Sequence, residues 1–246
     1  MRKLSVIIPT KDRLELLYWH LEVLKTQTLL PELWELVIVN DGGKIPAIQQ
    51  SDSVRLISYE KNVGPASARN VGAKEAKNEI LLFTGDDVIP DRNFLWRHWY
   101  QHNRRASKEW AVVQGLTAWH PSIPPDDFMN YLITNGLQAN WPALKDENGN
   151  WRATAPGWFL TTNVSISKGL FDSLGGFDES FPRAAWEDIE LAYRIAKHNI
   201  IPSFDPDAIN FHYHRYSLDQ FAARQLVEGE SRLYFCAAQP EISGSM

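Results

Sequence analysis

The sequence predicts an α/β fold: an open, mostly parallel sheet flanked by helices, followed by a less regular half. Three observations carry this. Short apolar runs recur at "LSVIIP" (4–9), "WELVIVND" (34–41), "VRLISY" (54–59) and "EILLFTG" (79–85), with the length and character of fully covered strands. Helical patterns alternate with them, which is the signature of β-α-β units. The strands also end on polar residues or glycine, at the edge where such sheets bind ligands.

Taken in order, the first run is followed by Leu14, Leu17, Leu21 and Leu24 at helical spacing, with Asp12 placed to cap that helix. "ASARNVGAKEAK" (66–77) reads as a helix, and another is expected from Asp91 to about Ala106, before a strand near "WAVVQG" (110–115). "WHPSIPPDDF" (119–128) reads as a proline-rich turn and "LKDENGNWRATAPG" (144–157) as a loop or hairpin. A strand over 158–168 and a helix-and-turn segment over 170–181 follow. The stretch 185–199 is expected to be a helix with Ile189, Ala192, Tyr193 and Ala196 on one face. Ser217 to about Ala238 reads as a further amphipathic helix. With no repeat or linker, one domain over 1–215 with a C-terminal helical extension over 216–246 is the economical organisation.

A chain of 246 residues, 44% hydrophobic, is ample for a buried core. The net charge of −5 gives no general footing for nucleic acid. A lone cysteine, Cys236, excludes an internal disulfide and a cysteine-built metal centre, and fits the cytoplasm. The opening "MRKLSVIIPTKDR" is too short in its apolar run for a signal peptide. No stretch has the eighteen or so apolar residues of a membrane span. Ten tryptophans leave peripheral association with the inner membrane face open.

The fourth strand raises the sharpest question, because it runs through Gly85 into Asp86 and Asp87. Two adjacent like charges repel, and burial makes that worse. They are tolerable in open solvent or with a cation between them. The expected convergence of Pro9 to Lys11, Asn40 to Gly42 and Gly85 to Asp87 on one sheet edge favours a ligand site.

The blocks "SVIIPTKDR", "ELVIVNDGG", "NVGPASARNVGAKEA", "ILLFTGDD", "TTNVSISKGLFDSLGGFDESF" and "WEDIELAYRI", in this order, resemble the family 2 glycosyltransferases of GT-A fold, over roughly residues 4 to 215. The resemblance implies transfer of a sugar from a nucleotide diphosphate donor, usually with inversion and a divalent metal, Mn2+ or Mg2+. It implies a donor half over about 1–115 and an acceptor half over about 116–215. Asp87 would bind the metal, while Asp86 would reach the donor ribose or share the ion. Thr84 stands where many relatives carry a further Asp.

Asp41 would accept a hydrogen bond from the nucleotide base, typically a uracil N–H, making a UDP-sugar the expected donor. Pro9, Thr10, Lys11, Asn62 and Arg69 would line the donor side. Lys11 replaces an aromatic residue of some relatives, and Asn40 an acid. Asp188 would be the general base that takes the acceptor hydroxyl's proton, with Glu187 positioning acceptor or loop. A third metal ligand would be His212 or His214, His212 fitting the pattern better. Trp119, Trp158 and Trp186 lie near the expected acceptor side, where aromatic faces pack on sugar C–H faces. The acceptor would be a glycan or another hydroxyl compound.

Two rival classes remain. A nucleotidyltransferase on a similar sheet would want a glycine-rich phosphate loop after the first strand, and "PTKDRLELL" has no glycine. A catalytically inactive nucleotide-sugar-binding module would be expected to lose Asp87 or Asp188, and both are present.

Overall fold

The computed structural model describes residues 1–104, 111–137, 144–149, 151, 158–181 and 185–239. The chain begins with β1 (Leu4–Thr10), α1 (Leu14–Leu24), β2 (Trp34–Asn40), β3 (Val54–Ser58), α2 (Pro65–Glu75) and β4 (Ile80–Thr84). Then come β5 (Val88–Pro90), α3 (Phe94–Asn103), β6 (Val112–Trp119) and α4 (Asp127–Thr134). The chain continues through β7 (Asn163–Ser167), α5 (Lys168–Ser173), α6 (Glu187–Lys197), β8 (Ser203–His212) and α7 (Leu218–Ala238).

One eight-stranded sheet has the order β3-β2-β1-β4-β7-β6-β8-β5. Four of its seven pairings are parallel, and β7 and β5 run against their neighbours. The period-two alternation of strands sorts the apolar runs between two cores. Leu4, Val6, Ile8, Leu36, Ile38, Ile80 and Leu82 face α1 and α3, meeting Leu17, Leu24, Phe94 and Leu95. Ile7, Val37, Val39, Leu81 and Phe83 face the other way, onto α2, α5 and α6. Both faces of the parallel strands are therefore covered, as their unbroken hydrophobicity requires.

Several boundaries differ from expectation, each for a local reason. Asp12 does not cap α1: it lies in the left-handed region at φ 59°, and its carboxylate accepts from the Lys44 N–H at 3.0 Å. α3 starts at Phe94 instead of Asp91, because β5 first carries that stretch along β8. The expected extension of α3 to Ala106 and the Trp110 end of the next strand lie outside the described residues. β6 runs on to Trp119, and α4 begins within the proline-rich segment, capped by Asp126 accepting from the Met129 N–H at 2.8 Å.

In the expected hairpin a single antiparallel bridge joins Lys145 to Trp151, with 150 and 152–157 outside the described residues. On α6 the buried face is Glu187, Glu190, Leu191, Ala192 and Ile195, whereas Ile189, Tyr193 and Ala196 are only half-buried. Apolar periodicity pointed elsewhere because the two glutamates go inward with arginine partners, Arg69 for Glu187 and Arg194 for Glu190.

α2 lies so close to the sheet that Gly72 has no room for a side chain. A Cβ there would sit 2.5 Å from Ile7 Cγ2 and 3.4 Å from Val39 Cγ2. Glycine to alanine inside a helix is ordinarily worth about 1 kcal/mol in favour of alanine. Overpacking a full core costs about 1–3 kcal/mol, and here both neighbours are fully buried. Gly72→Ala should therefore lower the urea midpoint of unfolding. A raised midpoint would mean that α2 can shift off β1 without loss.

Candidate active site

A cavity of about 1030 Å³ opens at the carboxyl ends of β1, β2 and β4 and extends to α6 and β8. Its lining includes Pro9, Thr10, Lys11, Asp41, Asn62, Arg69, Asp86 and Asp87 from the first half of the chain. Trp119, Trp186, Glu187, Asp188, His212 and His214 line it from further along the chain. Of the residues singled out from sequence, Trp158 is absent from that lining.

The repulsion between the adjacent aspartates is relieved by a cation that the sequence did not announce. Arg13 Nη1 lies 2.8 Å from Asp86 Oδ1 and 3.1 Å from Asp87 Oδ2. Asp86 Oδ2 also accepts from the Thr10 hydroxyl at 2.8 Å. Burial still pushes the Asp86 carboxyl above its ordinary range, against the pull of Arg13. For Asp87, burial acts in the same sense, but His212, Arg13 and His214 together outweigh it and hold the carboxyl below that range. Behind the pair, His20 Nδ1 is 3.1 Å from the Gly85 carbonyl, and burial lowers this imidazole to a pKa of about 4.

Strand pairing brings Asp87 to the histidines. Val88 of β5 stands opposite His212 of β8, and the Tyr213 N–H donates to the Asp87 carbonyl at 3.1 Å. Asp87, His212 and His214 each offer a ligand atom, all within 4.8 Å of one another. His212 Nδ1 is buried without a hydrogen-bond partner among the described residues. Burial lowers both imidazoles, His212 to about 4, so at neutral pH both are in the neutral form that binds metals. The trio thus fits a divalent cation, with one carboxylate oxygen and two imidazole nitrogens. Asp86 is not part of it. Trp119 backs the histidines, its ring centroid 5.7 Å from His212 and 5.3 Å from His214.

The second acid pair opens α6. Trp186 precedes it in the left-handed region at φ 70°, its ring 5.6 Å from that of Phe235 on α7. Glu187 Oε1 accepts from Arg69 Nη1 at 2.7 Å, which ties α2 to α6. Asp188 takes the Ile189 N–H at 2.9 Å. Burial, and then the neighbouring Glu187 charge, push its carboxyl up to about 6 despite Arg69 and the N–H groups of Ile189 and Thr161. A carboxylate so placed is a competent proton acceptor near neutral pH.

Asp41 is buried and already engaged: Oδ1 accepts from the Val63 N–H at 2.6 Å and Oδ2 from the Gly64 N–H at 3.1 Å. Asn62 Oδ1 accepts from the same Gly64 N–H at 2.9 Å. These bonds fix the turn into α2, where Gly64 has φ 88°. Residues that sequence reasoning missed are Arg13, His20 and the α7 pair Arg224 and Glu228, which also line or support the cavity. Arg13 lay within the quoted "PTKDR", but a single loop arginine carries no pattern of its own.

Comparison with known proteins identifies the fold. The mannosyltransferase PcManGT from Pyrobaculum calidifontis, solved with GDP-Man and Mn2+, superposes with TM-score 0.65 at 18% identity, over 98% of this chain and 64% of that one. S. aureus TarS 1-349 in complex with UDP gives 0.60 at 19% identity, over 93% and 65%. The architecture is therefore the GT-A glycosyltransferase fold. Residues 5–113 match the model for "Glycosyl transferase family 2".

Validoxylamine A glucosyltransferase of Streptomyces hygroscopicus subsp. limoneus is 30% identical over 227 residues, covering 80% of this chain and 48% of its own length. Chondroitin synthase of Pasteurella multocida is 27% identical over 223 residues, covering 78% and 23%. The chain is thus similar to glycosyltransferase family 2 over residues 5–113 and to glycosyltransferases over most of its length. It spans about half the length of the first of these relatives and under a quarter of the second.

Asp41 makes a direct prediction. Asn can accept from one of the two N–H groups but would turn its own NH2 toward the other. The Gly64 N–H would keep Asn62 Oδ1 as an acceptor, but a hydrogen bond to a charged group is lost, which costs about 1.5–3 kcal/mol. Asp41→Asn should thus be less stable by that order in chemical denaturation without any nucleotide present. An unchanged midpoint would show that the turn does not depend on this carboxylate.

Proposed function

We propose that this chain transfers a sugar from a nucleoside diphosphate donor to an acceptor hydroxyl, with inversion. The observation that carries the reading is the single cavity onto which both acid centres open, Asp87 with the two histidines and Glu187 with Asp188. Thr10 and Arg13 hold Asp86 at the donor end, and Asp41 shapes the turn beside Asn62, where the base would lie. Asp87, His212 and His214 would hold the metal. A divalent ion there would offset charge developing on the departing diphosphate. Two imidazoles beside one carboxylate favour manganese over magnesium, which prefers an all-oxygen shell.

Asp188 takes the proton of the attacking hydroxyl, and Glu187, braced by Arg69, fixes its position. Trp119 is committed to the histidines and Trp186 to α7, so the acceptor-stacking role foreseen for these rings rests on whichever edge each leaves in the cavity. Glycans remain the expected acceptors. The chain's single cysteine supports a cytoplasmic location, and among the described residues no helix is long and apolar enough to cross a membrane.

A screen of nucleoside diphosphate sugars by thermal shift, with and without manganese, tests the donor and metal together. A ligand at a hundredfold excess over its dissociation constant stabilises the native state by about 2.7 kcal/mol. One donor should raise the melting temperature chiefly when manganese is present, and Asp87→Ala should abolish that manganese-dependent part. A manganese-dependent shift that survives Asp87→Ala would place the metal elsewhere.

Asp188→Asn separates chemistry from binding. Donor and metal affinity should hold while transfer falls by about 10²–10⁴, with Glu187→Gln milder. Wild-type transfer should fall on the acid side with an apparent pKa of about 6. Stability should follow the opposite course. A carboxyl raised on folding stabilises the fold in its protonated form, a contribution complete below its ordinary 3.8 and lost as pH rises through about 6. Asp188→Asn should therefore raise the melting temperature at pH well above 6 and gain nothing at acid pH. If Glu187→Gln proves the slower enzyme, the base is Glu187.

A further inference from the structure

We propose that Arg13 is a built-in counter-ion that makes cation and diphosphate binding depend on each other: it opposes a lone divalent ion at Asp87 and becomes a ligand to the diphosphate when both are present. The proposal rests on the donor-cleft reading above. Its ground is that one carboxylate is asked to serve two cations. Asp87 Oδ2 is 3.1 Å from Arg13 Nη1, and the same side chain belongs to the Asp87, His212, His214 trio.

Asp86 does not relieve this competition, because its oxygens are held by Thr10 and by Arg13 itself. A dication entering alone would sit beside the guanidinium in a partly enclosed pocket, where like charges are poorly screened. The negative diphosphate reverses the sign. It gives the guanidinium oxygens to bind in place of Asp87, and the planar fork of arginine suits them in pairs. The Arg13 side chain is free to make that exchange, being 54% exposed at the cavity wall.

A purely structural clamp on the acid pair would behave differently. It could alter metal binding, but it would not contribute to nucleotide affinity. Binding energetics therefore distinguish the two, with no need for turnover.

Manganese binding should be measured from the free-ion electron paramagnetic resonance signal, alone and with saturating UDP or GDP, for wild type, Arg13→Gln and Arg13→Lys. Losing one charged hydrogen-bonding partner typically changes affinity by about tenfold. Arg13→Gln should bind manganese alone about tenfold more tightly and UDP or GDP, at saturating manganese, about tenfold more weakly. The factor by which nucleotide tightens manganese should shrink accordingly, and linkage requires the same factor in the reverse titration.

Arg13→Lys keeps the charge and loses the fork, so lone manganese binding should stay as in wild type while nucleotide binding weakens. This variant also carries the test if Arg13→Gln does not fold. Unchanged nucleotide affinity in the variants, or a coupling factor equal to that of wild type, overturns the proposal and leaves Arg13 a clamp. Wild type that binds neither manganese nor either nucleotide would instead overturn the donor-cleft reading on which it stands.

Discussion

The Asp87, His212 and His214 cluster depends on a short antiparallel pairing, β5 against the last residues of β8. Val88 to Pro90 lie opposite His212 to Asn210. Continuing that ladder by one residue places Asp87 against Tyr213, whose N–H it accepts. Side chains alternate along an extended chain, so His212 and His214 share one side, and Asp87, in the turn before β5, offers its oxygen within 4.8 Å of a nitrogen of each. β8 is in turn held in register by β6, with Trp119 beside His212. A carboxylate from the first half of the chain and two imidazoles from its last quarter meet only because this sheet edge closes.

The two acid pairs obey one rule. Each consists of adjacent carboxylates, and each has one arginine, Arg13 for Asp86 and Asp87 and Arg69 for Glu187. Arg13 bridges both members of the first pair, closer to Asp86, whereas Arg69 holds Glu187 in the second. Their surroundings then drive Asp87 and Asp188 apart. Histidines and Arg13 hold Asp87 low, in the ionised form suited to a cation, whereas burial and Glu187 raise Asp188 toward the range of a base. Titratable groups of the same kind divided in this way are the usual mark of divided roles. The question raised by adjacent aspartates thus has a mixed answer: a protein cation sits between them, and one of them still faces a second cation site.

What could be read from sequence follows from how burial is achieved. β1, β2 and β4 are buried on both faces by hydrocarbon, so their apolar runs announce them, and the observed ends fall within a residue or two. β8 is buried differently. Asp205 and Asn210 are inside, the former neutralised by Arg97 and Gln101 and the latter bonded to the Thr162 carbonyl. Polar residues that pair inside read as loop to any hydrophobic pattern. β5 is too short to show a period and contains Pro90, which suits a strand at the sheet edge. The site residues on strand ends were legible because topology alone directs them to one edge. Arg13 was not, since only the folded distance distinguishes it from a surface arginine.

The last helix has a larger part than its position in the chain suggests. Trp186 adopts a left-handed backbone that costs a bulky residue about 1–2 kcal/mol, so something must hold it there. Its ring packs on Phe235 of α7, with the Arg232 guanidinium 5.8 Å from the ring centre, and Phe235 also meets Tyr193, about two turns further along the same face of α6. Trp186 is the residue from which α6 starts, and Glu187 and Asp188 are its first turn. The direction in which both acids leave the backbone is therefore set by a strained residue that α7 braces. α7 also sends Arg224 and Glu228 to the cavity wall. The segment that sequence alone presents as an extension thus supports the second acid pair from behind and borders the cavity in front, which makes its packing part of the site.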